Sequence, residues 1–233
     1  PSGAEAHATE RLLRLDPCFL CYATPTDAPE PTAPSSAAPF TFGSFNAIAK
    51  VGDACCALWA RALAAVPDAR LLLKTKALAD GTARAALIDR LARAGIASER
   101  VELIPSTATV AEHLALYGRI HVALDTFPYH GTTTTCEALW MGVPVVTRTG
   151  DRHAARVGAS LLAAVGLEEL VAADDDAFAS ICARLAQDRA ALDAVRHGLR
   201  QRLHASPLTD AAGYRERFAR AIRGAWRDRC ARA

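Results

Sequence analysis

The chain has 233 residues, of which 51% are hydrophobic and 22% charged. A chain this long and this apolar buries a sizeable core, which excludes disorder over its whole length, and no run approaches the roughly 18 uncharged apolar residues of a membrane-spanning helix. With 27 basic against 25 acidic residues the net charge is +2, which leaves no footprint for nucleic acid or an anionic lipid surface.

Only Lys50, Lys74 and Lys76 are lysines; the other basic residues are arginines. The sequence opens on Pro1, its one methionine is Met141, and it reads as a piece of a longer protein. Its seven cysteines are odd in number and scattered, which argues against a disulfide framework and for a reducing, cytoplasmic compartment.

In chain order, residues 5–15 mix charged and apolar side chains at helical or strand-like spacing. Residues 23–39 hold Pro25, Pro29, Pro31, Pro34 and Pro39 among Ala, Ser and Thr. Such a stretch cannot build a core and predicts an extended linker. Residues 1–22 are too few for a domain and are expected to be the tail of a preceding one.

From residue 40 short β-rich runs alternate with helical patterns. Strands are predicted at 40–45, 70–74, 101–104, 120–126, 143–147 and 169–172. Helices are predicted at 53–66, with Cys56, Trp59, Leu63 and Val66 on one face, and at 82–94, with Ala86, Leu87, Leu91 and Ala94. Further helices are expected at 110–118, 133–142, 153–165, 174–187 and 189–204. A long arginine-rich helix over 209–232 follows Ser206-Pro207-Leu208, a helix-start signal. The alternation predicts an α/β fold: a mostly parallel, Rossmann-like sheet over 40–205 with helices on both faces. In such sheets ligands bind outside the carboxyl ends of strands.

The densest patch of chemistry is 125–146. A strand ends at Asp125, a turn follows, and Thr132, Thr133, Thr134 and Thr135 open a helix that Gly142 closes. Four threonines are poor helix interior but good helix beginning, because their hydroxyls can cap free N–H groups. The run reads either as a heavily capped helix start or as a phosphate site, and its place after a strand favours the second. Glu137 lies one turn in, as a carboxylate for ribose hydroxyls or as a favourable first-turn charge.

Tyr129-His130-Gly131-Thr132-Thr133-Thr134-Thr135-Cys136-Glu137 resembles the donor-binding half of the O-linked N-acetylglucosamine transferases, including their SPINDLY-like branch. Collinear matches are Phe42-Gly43-Ser44-Phe45-Asn46 with Lys50, 70–74, Glu112-His113, 153–158 and 206–210. The resemblance covers about residues 40–231, and faintly 10–22. It implies the second lobe of a GT-B glycosyltransferase, with 206–233 a closing helix that packs back toward the other lobe. It further implies inverting, metal-independent transfer of N-acetylglucosamine from UDP-GlcNAc to Ser or Thr hydroxyls of proteins. No cofactor is expected; a missing first lobe and helical repeats are.

Residue by residue, the resemblance places Lys50 on the diphosphate as the catalytic cation and His113 near base and ribose. It places Thr132, Thr133 and Thr134 around the diphosphate and Glu137 on the ribose. Tyr129, His130 and Gly131 lie where the sugar would approach. His130 departs from an Asn common in bacterial members, His121 from an Asp, Ala47 from an amide and Val110 from a lysine. These bear on the sugar and base preferences more than on the diphosphate site. Also open are another donor or acceptor on the same fold (GDP-fucose, or glucosyl transfer to Asn), a sugar-nucleotide epimerase, and a non-catalytic interaction module. Cys18 and Cys21 form a CxxC without a second pair, so zinc is not expected. Asp174-Asp175-Asp176 reads as a helix start. With Glu216 and Asp228 between them, the arginines of 215–232 read as a solvated face.

Overall fold

The computed structural model describes residues 3–232. Among these residues six strands form one parallel sheet: β1 (Thr41–Ser44), β2 (Arg70–Lys74), β3 (Val101–Ile104), β4 (Val122–Leu124), β5 (Val145–Arg148) and β6 (Val171–Ala172). Their spatial order is β3-β2-β1-β4-β5-β6, and every neighbouring pair is parallel. The order reverses between β1 and β4. Right-handed crossovers therefore send helices to one face in the first half and to the other in the second. The predicted α/β, Rossmann-like lobe is the fold observed.

A parallel strand covered on both faces must be apolar on both. Leu71, Leu72 and Leu73 meet that requirement and are all buried, each contributing roughly 1.5–3 kcal/mol relative to exposure. Helix α1 (Asp53–Ala65) buries Cys55, Cys56, Leu58, Trp59, Ala62 and Leu63. Its Trp59 indole N–H donates to the Asp125 carbonyl at 2.9 Å, pinning the chain just after β4. Gly43 lets β1 pass close to Ile120, because an added Cβ would lie 2.6 Å from an Ile120 methyl.

The remaining helices are α2 (Gly81–Arg93), α3 (Val110–Ala115), α4 (Thr133–Trp140), α5 (Val157–Ala164), α6 (Asp175–Gln187), α7 (Arg189–Arg196), α8 (Leu199–His204) and α9 (Ala211–Cys230). Four expectations need correction. The helix predicted over 189–204 breaks at His197 and Gly198, with Gly198 leading α8. The helix predicted from 153 starts at Val157, after a short 3-10 turn. The last helix is started by Asp210, whose carboxylate accepts from the Gly213 N–H at 2.8 Å, and not by Ser206-Pro207-Leu208. Ala86 is exposed while Leu87 and Leu91 are buried, so the apolar stripe of α2 is narrower than read. Asp174 caps α6 as expected, accepting from the Ala177 N–H at 2.8 Å.

The proline-rich segment is extended but fastened. Arg196 is buried, and its guanidinium donates to the carbonyls of Ile120 (3.1 Å), His121 (2.8 Å) and Thr32 (3.0 Å). Arg200 reaches the carbonyls of Pro29 and Trp140 at 2.5 and 2.8 Å. Residues 18–22 do not stand apart either. Cys18 is buried, Phe19, Leu20 and Tyr22 pack against the core, and the Tyr22 N–H donates to Leu208 O at 2.6 Å. The change at residue 39 is thus one of regular structure, with packing on both sides of it. Residues 1 and 2 of the expected tail and residue 233 of the closing segment lie outside the described residues. Helix α9 buries none of its residues and leaves Phe218, Ile222 and Trp226 exposed at spacings of four.

Candidate active site

The crevice of a doubly wound sheet opens where the strand order reverses. Here that is between β1 and β4, so residues 45–50 and 125–132 flank it. Both stretches carry the residues singled out from the sequence.

Helix α4 begins after Thr132, which makes no side-chain capping bond. The capping expected from the threonine run is therefore not observed. Thr135 is buried, and the Thr134 hydroxyl donates to Asn46 Oδ1 at 2.8 Å. Among the described residues the hydroxyls of Thr132 and Thr133 make no bond within the chain, and Thr133 is exposed. The first N–H groups of α4 stay open. Unmet N–H groups, the helix dipole and two available hydroxyls together suit an anion such as phosphate. Gly131 permits this approach: a Cβ there would lie 2.6 Å from Thr134 Oγ1 and 2.9 Å from Asn46 Oδ1.

Lys50 closes a 3-10 turn after β1. Its ammonium donates to the His130 carbonyl at 2.8 Å and sits 4.2 Å from the Tyr129 ring centre. Lys50, Tyr129 and the backbone leading into α4 therefore meet. Partial burial lowers the Lys50 pKa, and the Asp125 carboxylate opposes that shift.

The expected role of His130 is corrected for its side chain. The imidazole is fully buried and cannot face a sugar. Its Nε2–H donates to Arg148 O at 2.9 Å, and its Nδ1 accepts from the Gly158 N–H at 3.0 Å. These two bonds select a neutral ring, and burial lowers its pKa in the same sense. Beside it, buried Asp125 accepts from the N–H groups of Thr126 (2.9 Å) and Gly131 (2.7 Å) and from the Thr147 hydroxyl (2.7 Å). His130 and Asp125 thus build the turn from inside. Gly158 is part of that fit, because a Cβ there would lie 2.9 Å from Thr147 Cβ and closer still to the Asp125 carboxylate. Gly158→Ala is expected to cost about 1–3 kcal/mol in chemical denaturation. A loss below about 0.5 kcal/mol, the level of an ordinary surface change, would mean the turn does not need this packing.

The other end of the crevice is aromatic and charged. Phe45 and Tyr117 lie 4.4 Å apart between ring centres, and His113 is 5.8 Å from each. His113 Nε2 is 3.1 Å from Glu137 Oε2, and both side chains are mostly buried. The Tyr117 hydroxyl lies 3.4 Å from the same oxygen. The sequence pointed to roles for His113 and Glu137; it placed Asn46, Asp125 and Lys74 in matched stretches without a role and passed over Tyr117, and these four hold the site residues from other elements. The match around Phe42–Asn46 was the one signal for Asn46.

A cavity of about 530 Å³ lies elsewhere, between residues 12–19 and 153–160. It brings no group to α4, so the open crevice is where the chemistry gathers. Among the described residues no cluster of three or more His, Cys, Asp or Glu is placed to hold a metal ion. Cys18 and Cys21 are free, and Cys18 is buried.

A family model described as glycosyl transferase family 41 matches residues 32–218. The chain belongs to glycosyl transferase family 41. Within the family it is 41% identical to a Petunia hybrida protein named probable UDP-N-acetylglucosamine–peptide N-acetylglucosaminyltransferase SPINDLY, over 99% of this chain and 25% of that protein. The Arabidopsis thaliana protein of the same name is 40% identical over the same shares. A solved O-GlcNAc transferase mutant from Thermobaculum terrenum superposes with a TM-score of 0.90 at 39% identity, over 99% of this chain and 44% of that one. A sucrose-phosphate synthase from Thermosynechococcus elongatus, 18% identical with a TM-score of 0.58, shares the fold alone. This family 41 chain is thus a Rossmann-like lobe of the GT-B type, and it spans about a quarter of the length of the curated relatives it matches.

Proposed function

We propose that this chain is the donor-binding half of a protein O-N-acetylglucosaminyltransferase that takes its sugar from UDP-GlcNAc. The observation that carries the reading is the open start of α4 with the Lys50 ammonium beside it. The diphosphate carries two negative charges and gains one more as its bond to the sugar breaks. A helix N-terminus and a fixed cation aimed at that charge stabilise it without reorganising in the transition state. The reading assigns this work to Lys50 and α4 and calls for no metal or other cofactor.

A protein Ser or Thr hydroxyl then displaces the diphosphate at the anomeric carbon, with inversion. Tyr129 and the Gly131 backbone border the approach of the sugar, and His113 and Glu137 take the nucleoside. The acceptor, the first lobe and helical repeats belong to the longer protein that this reading assumes. In it the exposed stripe Phe218, Ile222 and Trp226 of α9 packs on the first lobe. All seven cysteines are free, which supports a reducing, cytoplasmic setting.

Calorimetric titration with UDP and, separately, GDP tests the donor. Tight binding of UDP that Thr133→Ala weakens is the expected result. Preference for GDP would replace the donor by a guanine nucleotide sugar such as GDP-fucose. Binding of neither, by the full-length folded protein, would leave a non-catalytic module.

A further inference from the structure

We infer that Lys74 is a positioning residue for the nucleoside: it acts through His113 to aim Glu137 at a ribose hydroxyl. The inference rests on the donor site proposed above. Lys74 ends β2, His113 sits in α3 and Glu137 in the first turns of α4. Three separate elements thus converge in one line of side chains.

The Lys74 ammonium lies 2.8 Å from His113 Nδ1. An ammonium has donors only, so Nδ1 must accept. The ring proton is then on Nε2, which faces Glu137 Oε2 at 3.1 Å. An imidazole's second nitrogen is set by the bond the first one makes. The Tyr117 hydroxyl, 3.4 Å from the same oxygen and 3.2 Å from Thr134 O, flanks the carboxylate. Every bond to the Glu137 side chain goes to Oε2, so Oε1 makes none among the described residues. That oxygen is left to accept from a ligand hydroxyl. A diphosphate at the start of α4 puts a ribose one helical turn along, at Glu137.

Lys74 also supplies a positive charge near Glu137, which raises the lysine's pKa in return, although burial is the larger effect and lowers it. Without Lys74, Nδ1 has no donor and the ring is free to take the other tautomer, whose bare Nε2 would repel the carboxylate. Glu137 then swings from its place.

The test uses the full-length protein and two probes, UDP and 2′,3′-dideoxy-UDP, in titration calorimetry. The wild type is expected to prefer UDP by roughly tenfold, the size of one hydrogen bond to a charged group. Lys74→Met is expected to lose that preference by weakening UDP alone, and Lys74→Arg to restore most of it. Equal weakening of both probes by Lys74→Met, or an unchanged preference, would overturn the inference, since a general packing role or a direct contact to the base predicts those results. Thermal melting of each variant identifies one that fails to fold, and Glu137→Gln then serves as the second probe of the same preference. If the wild type binds neither UDP nor GDP, the donor-site reading fails first, and the inference with it.

Discussion

Replacing Lys50 by methionine in the full-length enzyme is expected to lower kcat about a hundredfold, the loss typical when one preorganised electrostatic partner of a developing charge is removed. Methionine keeps about the length of the side chain. It removes the charge and the donor to His130 O. His130 O lies beside an open crevice, where water can replace the lost donor, so stability should change by less than about 1 kcal/mol. Single-turnover rates with saturating UDP-GlcNAc isolate the chemical step from donor binding. A rate within twofold of wild type would remove Lys50 from the catalytic machinery and leave the α4 N-terminus as the sole source of stabilisation.

The effect belongs to Lys50 and not to its neighbours for a geometric reason. His130, next in line by sequence, is turned inward with both ring nitrogens occupied. His113 is engaged with Lys74 and Glu137 at the far end of the crevice. Lys50 is the cation whose own bond runs to the backbone entering α4.

The fold was legible because its signals are local. A buried run such as Leu71–Leu73 between helical patterns marks a parallel strand, although the strand order was not read from it. The threonine run and Gly131 stood out for the same reason, since they are contiguous. The errors are long-range. Nothing local distinguishes a threonine that caps its own helix from Thr134, which bonds Asn46 from another strand's end. His130 reads as a cleft residue until Gly158, twenty-eight positions on, is seen to occupy its Nδ1. That Arg196 and Arg200 hold carbonyls of the proline-rich stretch has no local signal either. The break at His197 and Gly198 was missed because apolar residues continue at helical spacing on both sides of it.

Acidification should unfold the chain partly through His121, a buried histidine held neutral. Its Nδ1 accepts from the Thr41 N–H at 3.0 Å, and its ring stacks on Phe40 at 4.7 Å. Burial first, then the charges of Arg189 and Arg196, lower its pKa from 6.5 to about 4. Above pH 6.5 the ring is neutral in both folded and unfolded chains, and this group's contribution is intact. Below 6.5 the unfolded chain takes up a proton that the folded chain refuses until about pH 4, so stability falls as pH falls through that window. The difference amounts to about 3 kcal/mol by pH 4. His121→Asn keeps an acceptor for the Thr41 N–H and removes the titration. Urea unfolding at pH 7, 5.5 and 4.5 should show the wild type losing more stability than His121→Asn over that interval. Parallel losses would mean that His121 charges within the fold, and acid sensitivity would then have to come from the buried His130 and its partners.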